Sequence, residues 1–179
     1  MVAGSRGDER AWIRGAQSGS VPDLEALFKH HWPRAYRAAY LVVHDSGAAE
    51  DIAQEAFLAA VRSLDRFDRR RPFGPWLHRI VVNRAIDWSR SRALRRESGD
   101  AALALVAAAA PAERDEMEPL AAALADLSPE HRAVIVMRHL LDYTPGEIAE
   151  ALGLPRGTVN SRLRRGLDEL AGKLDEDLK

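Results

Sequence analysis

The chain has 179 residues and a formal net charge of −1, which is length enough for one ordinary domain or two small ones. It contains no cysteine, and this excludes disulfides, cysteine-ligated zinc and thiol catalysis within it. No run of about eighteen apolar residues occurs, and the opening MVAGSRGDERAW has no apolar stretch, so neither a spanning helix nor a secretion signal is predicted and a cytoplasmic protein is expected.

Taken in chain order, nearly every segment has helical spacing and none reads as a strand, so the predicted fold class is all-α. After an N-terminal tail with a short helix (1–22), apolar residues fall at Leu24, Leu27, Phe28, Trp32, Tyr36, Tyr40 and Val43, on one face of a helix that must accommodate Pro33. His44 to Gly47 reads as a turn. A second helix, AAEDIAQEAFLAAVRSLDRF, ends before the Arg/Pro-rich loop 68–72, and a third is predicted from about Pro75, a residue suited to a first helical turn. The first module is therefore placed at 23–96. Residues 97–117 have alanine runs, clustered acids and little large apolar surface, which predicts a flexible linker.

The second module (118–179) opens with Leu120, Leu124 and Leu127 at helical spacing. Ser128 is a predicted cap with Pro129 just inside the next helix. Thr144 and Glu147 form a T-x-x-E capping box, Gly153 ends a short helix, and Val159, Leu163, Leu167 and Leu170 should face the core of the next. The outer side of that last helix presents Arg156, Gly157, Thr158, Asn160, Ser161, Arg162, Arg164 and Arg165 without one acid. This is a helix-turn-helix pattern whose second helix suits base edges and phosphates in a major groove.

Charge is segregated although the net value is near zero. Residues 62–96 are rich in arginine, 154–167 carry arginines and no acid, and 97–119 are acidic. Two basic patches separated in this way predict two contacts on a polyanion. Within the first patch, at 100° per residue, Leu77, Ile80, Val81 and partly Trp88 share a core side. Trp76, Arg79, Asn83, Asp87 and Arg90 share a neighbouring side. The preceding loop adds Arg66, Phe67, Arg69, Arg70 and Phe73. Rings beside cations suit single-stranded DNA, where stacking contributes roughly 1–3 kcal/mol per base; the alternative is that these rings are small-domain core.

The run from Glu50 to Arg92 resembles the second conserved region of bacterial sigma factors of the extracytoplasmic-function group, within the sigma-70 family. LSPEHRAVIVMRHLLDYTPGEIAEALGLPRGTVNSRLRRGLDEL resembles their fourth region. The resemblance implies two small helical domains and a transcription initiation factor that binds core RNA polymerase, directs it to promoters and helps melt the minus-ten element. It assigns Asp51, Gln54, Glu55 and Leu58, which also share one helical face by spacing, to the clamp helices of the largest polymerase subunit. It assigns the loop 66–73 with Trp76, Arg79, Asn83 and Arg90 to a flipped base and the backbone of the minus-ten strand. Arg156, Thr158, Asn160, Ser161, Arg164 and Arg165 would read the minus-thirty-five duplex; Asn160 stands where the family often has a cation, and asparagine favours adenine. The segment around Leu124, Leu127 and Val136 would meet the flap of the second-largest subunit, and an anti-sigma factor is an expected partner.

The competing sequence reading is a helix-turn-helix regulator that binds duplex DNA without polymerase. An enzymatic reading finds no support in the motifs: the six histidines form no H-x-x-x-H or H-E-x-x-H pattern, and no phosphate loop or nucleophile elbow occurs. No catalytic residue, metal or cofactor is expected.

Overall fold

The computed structural model describes residues 6–97 and 120–177, so the expected linker lies outside the described residues apart from Glu97. All regular structure among the described residues is helical. The first module consists of α1 (Arg6–Gln17), α2 (Val21–Val43), α3 (Ser46–Ser63), a 3₁₀ turn (Leu64–Arg66) and α4 (Phe73–Glu97). Within the predicted tail, α1 packs Ile13 into the core at 1% exposure.

Local chemistry fixes the helix ends. Ser20 caps α2, accepting from the Asp23 N–H, and Pro22 lies in the first turn. The helix runs through the exposed Pro33 and stops at His44, whose φ of 53° lies in the left-handed region and whose N–H donates to the Tyr40 carbonyl. The turn is shorter than the four residues expected, because Asp45 already caps α3 by accepting from Ala48 N–H at 3.0 Å. Arg92, near the far end of α4, pairs with the same Asp45 carboxylate at 2.7 Å. Burial opposes ionisation of Asp45, but the Ala48 N–H and the Arg92 guanidinium prevail and hold its carboxyl below the usual range. Helix α4 starts at Phe73, two residues ahead of the expected Pro75.

Alanines set how closely these helices approach. Ala35, Ala38 and Ala39 of α2 and Ala49, Ala53, Ala56 and Ala60 of α3 are all fully buried, and small contact residues let helix axes come together. Leu77, Val81, Val82, Ala85 and Ile86 give α4 its inner stripe.

The second module contains a short helical stretch at 120–124 (α5), then α6 (Pro129–His139), α7 (Pro145–Leu152) and α8 (Arg156–Asp177). Ser128 caps α6 with Pro129 in its first turn, and Thr144 and Glu147 complete the capping box of α7, as expected. Gly153 ends α7 at φ 64°, a conformation glycine adopts without steric cost. Helix α8 crosses close to α6 at Gly166, where an added Cβ would lie 2.8 Å from Ile135. Two expectations change. Leu167 is 43% exposed rather than core, because at this point α8 packs through the neighbouring Gly166 and the partly buried Leu170. Leu124, Leu127 and Val136 are buried at 1–3% and unavailable as a docking surface.

The two modules touch: α6 packs against α2 and α4, and α7 against α4. Arg34 donates to the Leu140 carbonyl and to Asp142, each at 2.7 Å. Arg132 donates to His44 Nδ1 at 2.7 Å. At the centre, His78 of α4 shares a buried 3.2 Å hydrogen bond with the Tyr143 hydroxyl.

His78 gives a pH test of this packing. Burial first, then the His31 and Arg34 charges, push its imidazole from 6.5 down to about 3, so the unfolded chain takes up the proton first. This contribution to stability is complete above pH 6.5 and is lost progressively as pH falls toward 3. Urea unfolding between pH 7.5 and 5.5 should show a loss of about 1.4 kcal/mol from this group. His30, also lowered mainly by burial, contributes in the same direction, so the check is that His78→Asn flattens the profile.

Candidate nucleic-acid interface

The basic loop and the start of α4 build one concave site. The 3₁₀ turn brings Phe67 back against α4, where its ring centroid lies 4.7 Å from Trp76 and 5.7 Å from Phe73; Trp76 and Phe73 are 5.5 Å apart. Gln17 of α1 supports the turn, donating to the carbonyls of Leu64 at 2.8 Å and Phe67 at 3.1 Å. Asp68 folds the arginine run: its carboxylate accepts from Arg70 N–H and its carbonyl from Arg71 N–H.

These rings do not all face solvent. Phe67 and Phe73 are 8% and 3% exposed and belong to the core, contrary to the expectation of exposed stacking rings. Eight residues carry two rings, and a domain this small buries them as support. Trp76 is half-buried and edges the site. A cleft of about 430 Å³ lies beside it, lined by Ser63, Arg66, Phe67, Asp68, Arg71 and Trp76. Its lining sets the rings of Phe67 and Trp76 beside the cationic Arg66 and Arg71, a combination that suits an unpaired base with its phosphate.

The sequence pattern missed Arg71, which lines this cleft, while the named Arg69 and Arg70 are exposed in the loop but do not line it. Nothing in three consecutive arginines distinguishes them; the turn at Asp68 does. His78 faces Tyr143 rather than a ligand. Trp88 sits under the Arg92 guanidinium at 4.9 Å, a structural cation–π contact.

Farther along α4, Arg79 and Arg90 are exposed and Asn83 is half-buried. Asn83 donates to the Ala151 carbonyl of α7 at 3.3 Å, and Arg90 pairs with Glu130 of α6 at 2.8 Å. Burial works most strongly against ionisation of Glu130, yet the Arg90 hydrogen bond, its own backbone N–H and the Arg90 and Arg162 charges together hold its carboxyl below the usual range. A second cleft of about 330 Å³ separates Arg71, Pro72, Pro75, Trp76 and Arg79 from Tyr143, Glu147, Glu150 and Ala151.

On α3, Asp51, Gln54, Glu55 and Leu58 form one exposed face, with Leu58 55% exposed. Gln54 donates to Glu50 at 3.1 Å, and Glu55 pairs with Arg84 of α4 at 2.7 Å. Leu58 is therefore a surface residue among acids rather than part of the core.

In α8, Val159 and Leu163 are buried against Ile148 and the rest of the module, which turns Arg156, Asn160, Arg164 and Arg165 outward to exposure. Thr158 and Ser161 are half-buried, and the Ser161 hydroxyl donates to the Thr158 carbonyl at 2.9 Å. From Arg156 to Arg165 the outward residues include no acid, as the sequence indicated, and the exposed Asp168 and Glu169 follow.

Comparison with known proteins assigns both modules. The family model for sigma-70 region 2 matches residues 27–95, and that for sigma-70 region 4 matches residues 117–170. The ECF RNA polymerase sigma factor SigW of Bacillus subtilis is 30% identical over 176 residues, covering 90% of this chain and 92% of the relative. SigE of Mycolicibacterium smegmatis is 34% identical over 161 residues, covering 84% of this chain but 61% of that longer relative. Among solved structures, CnrH in complex with the cytosolic domain of CnrY superposes with a TM-score of 0.71 at 29% identity, covering 95% of this chain and 99% of CnrH.

Proposed function

We propose, from the premise that this chain belongs to the extracytoplasmic-function sigma factors of RNA polymerase, the division of labour among its surfaces. The protein is a promoter-directed initiation factor whose partners are core RNA polymerase and promoter DNA. The observation that carries the detailed reading is the Trp76-edged cleft under a cationic loop, inside the segment that matches region 2.

Residues 23–96 form the minus-ten and polymerase-binding module, and residues 118–179 the minus-thirty-five module. In the first, Arg66, Arg71 and Trp76 receive an unpaired base, Phe67 and Phe73 support Trp76 from beneath, and Arg69, Arg70, Arg79, Asn83 and Arg90 follow the backbone. Extracting a base from the stack costs a few kcal/mol, which a stacking partner and a charged rim can offset. Exposed Asp51, Gln54, Glu55 and Leu58 dock on the largest polymerase subunit. With Leu124, Leu127 and Val136 buried, any contact with the flap uses outward residues of the second module instead. In that module Arg156, Thr158, Asn160, Ser161, Arg164 and Arg165 read duplex DNA. The polymerase performs the chemistry.

Two supports bear on context. Among the described residues no helix is long and apolar enough to cross a membrane, and a cytoplasmic site of action is part of the proposal. CnrH was solved with the cytosolic domain of another protein, which supports a regulatory partner of the anti-sigma type for this chain also.

A helix-turn-helix regulator acting alone would not need the acidic face of α3, so the two readings separate by mutation. Arg165→Ala should lower affinity for the minus-thirty-five duplex by about 5–150-fold, the range of one specific base contact, while core polymerase affinity stays at the wild-type value; equal loss of core affinity contradicts the assignment. Gln54→Ala with Glu55→Ala should do the reverse. Competition for core against the unaltered protein provides the measurement, and a double variant that competes equally removes the docking face.

A further inference from the structure

The loop that carries the Trp76-edged cleft is held from outside the segment matching region 2, which begins at residue 27. Helix α1 lies ahead of that segment. Along it Glu9, Ile13 and Gln17 recur four residues apart, which sets them on one stripe about 12 Å long at 1.5 Å rise per residue. Ile13, in the middle, is buried in the core, and Trp12 beside it packs on His30 of α2 with ring centroids 5.6 Å apart. The polar residues at the two ends of the stripe both reach the loop. Gln17 donates to the Leu64 and Phe67 carbonyls at 2.8 and 3.1 Å. Glu9 bonds His31 at 3.0 Å and accepts from the Gly74 N–H, in the first turn of α4. Between these two ties stand Arg66, Phe67 and Arg71 of the cleft, and Trp76 follows directly.

We propose that α1 is a clamp on the strand-binding loop, with Glu9 and Gln17 as positioning residues that touch no DNA but set the base-receiving arrangement before DNA arrives. The inference rests on the assignment of that cleft to an unpaired base. The loop needs outside ties, because Arg66, Arg69, Arg70 and Arg71 stand against only Asp65 and Asp68 and repel one another. Backbone groups at its ends also need partners, and the first N–H groups of α4 have none within the helix. Both N–H groups of the Gln17 amide are spent on the loop's carbonyls. The His31 hydrogen bond, with the His31 and His30 charges and the Gly74 N–H, outweighs burial and holds the Glu9 carboxyl below the usual range, so it remains an acceptor at neutral pH. Gly74 suits this corner, since a Cβ there would lie 3.3 Å from the His31 ring. A loop ordered in advance does not spend binding energy on its own ordering.

Holoenzymes formed with the full-length variants test this. Gln17→Met keeps the length of the side chain and removes its donors, and Glu9→Gln keeps the shape and removes the charge. Each is compared with wild type in binding an oligonucleotide of unpaired minus-ten strand, intact or with each base in turn replaced by an abasic site. Wild type should show one position where base removal weakens binding roughly 5–150-fold, the range of one stacked base. Both variants should reduce that penalty at least threefold, while their affinity for the abasic oligonucleotide stays within twofold of wild type. A full wild-type penalty in either variant overturns the clamp. So does equal loss on intact and abasic oligonucleotides, which would make α1 a merely structural helix. If Gln17→Met does not hold polymerase, Glu9→Gln decides by the same readout. If wild type itself shows no position with a penalty, the assignment of the cleft to a base fails, and the clamp falls with it.

Discussion

Helix α4 has to satisfy two environments at once, and the remainder of the molecule follows from how it does so. Its inner stripe, Leu77, Val81, Val82, Ala85 and Ile86, is buried against α2 and α3. Those two helices bury alanines, which take little side-chain volume and have no rotamers to order, and they also meet through rings, Phe57 of α3 against Phe28 and Trp32 of α2. The outer side of the same helix is then free to carry Trp76, Arg79, Asn83 and Arg90, residues that a packed core has no use for. Rigidity on one side is what makes exposed chemistry on the other side reproducible. The tie from Arg92 to Asp45, which links the end of α4 to the cap of α3, extends that rigidity to α3.

The parts legible in the sequence were those fixed by local chemistry. The caps at Ser128 and Thr144, the left-handed residue at Gly153 and the acid-free side of α8 depend on neighbours within a few positions, and each stands where the pattern put it. What could not be read depends on distant packing. Helical spacing gives the face on which Trp76 and Asn83 lie, but it cannot say that α7 will be there to meet Asn83. Phe67 and Phe73 illustrate the same limit: an aromatic residue in a basic loop has the same composition signal whether it stacks on a ligand or supports a neighbour that does. The turn at Asp68, which selects Arg71 over Arg69 and Arg70 for the cleft, is a three-dimensional outcome of a repetitive segment.

The charge distribution acquires a second meaning from the fold. Read along the chain, the acids Glu130, Glu147 and Glu150 separate two arginine-rich segments; in space they face the first of them. Arginine suits both uses, since its planar donors match carboxylate and phosphate alike. A surface built to hold phosphates will accept carboxylates when no nucleic acid is present, at little cost if they are partly solvated.

Polar groups meet across the boundary between the modules. Where α6 meets α2 and α4, the buried apolar residues of the two modules also belong to one continuous cluster. Here the exposed Arg90–Glu130 and Arg34–Asp142 pairs are screened by salt and water. The buried His78–Tyr143 contact pairs a neutral imidazole with a phenol whose pKa is raised by burial, so this hydrogen bond carries no charge. The boundary also buries the Arg132 guanidinium, bonded to His44, so it is held by more than one hydrogen bond and a few partly wet pairs. The outward side of α4 thus meets the second module through polar groups, where arginine is matched to carboxylate as well as it would be to phosphate.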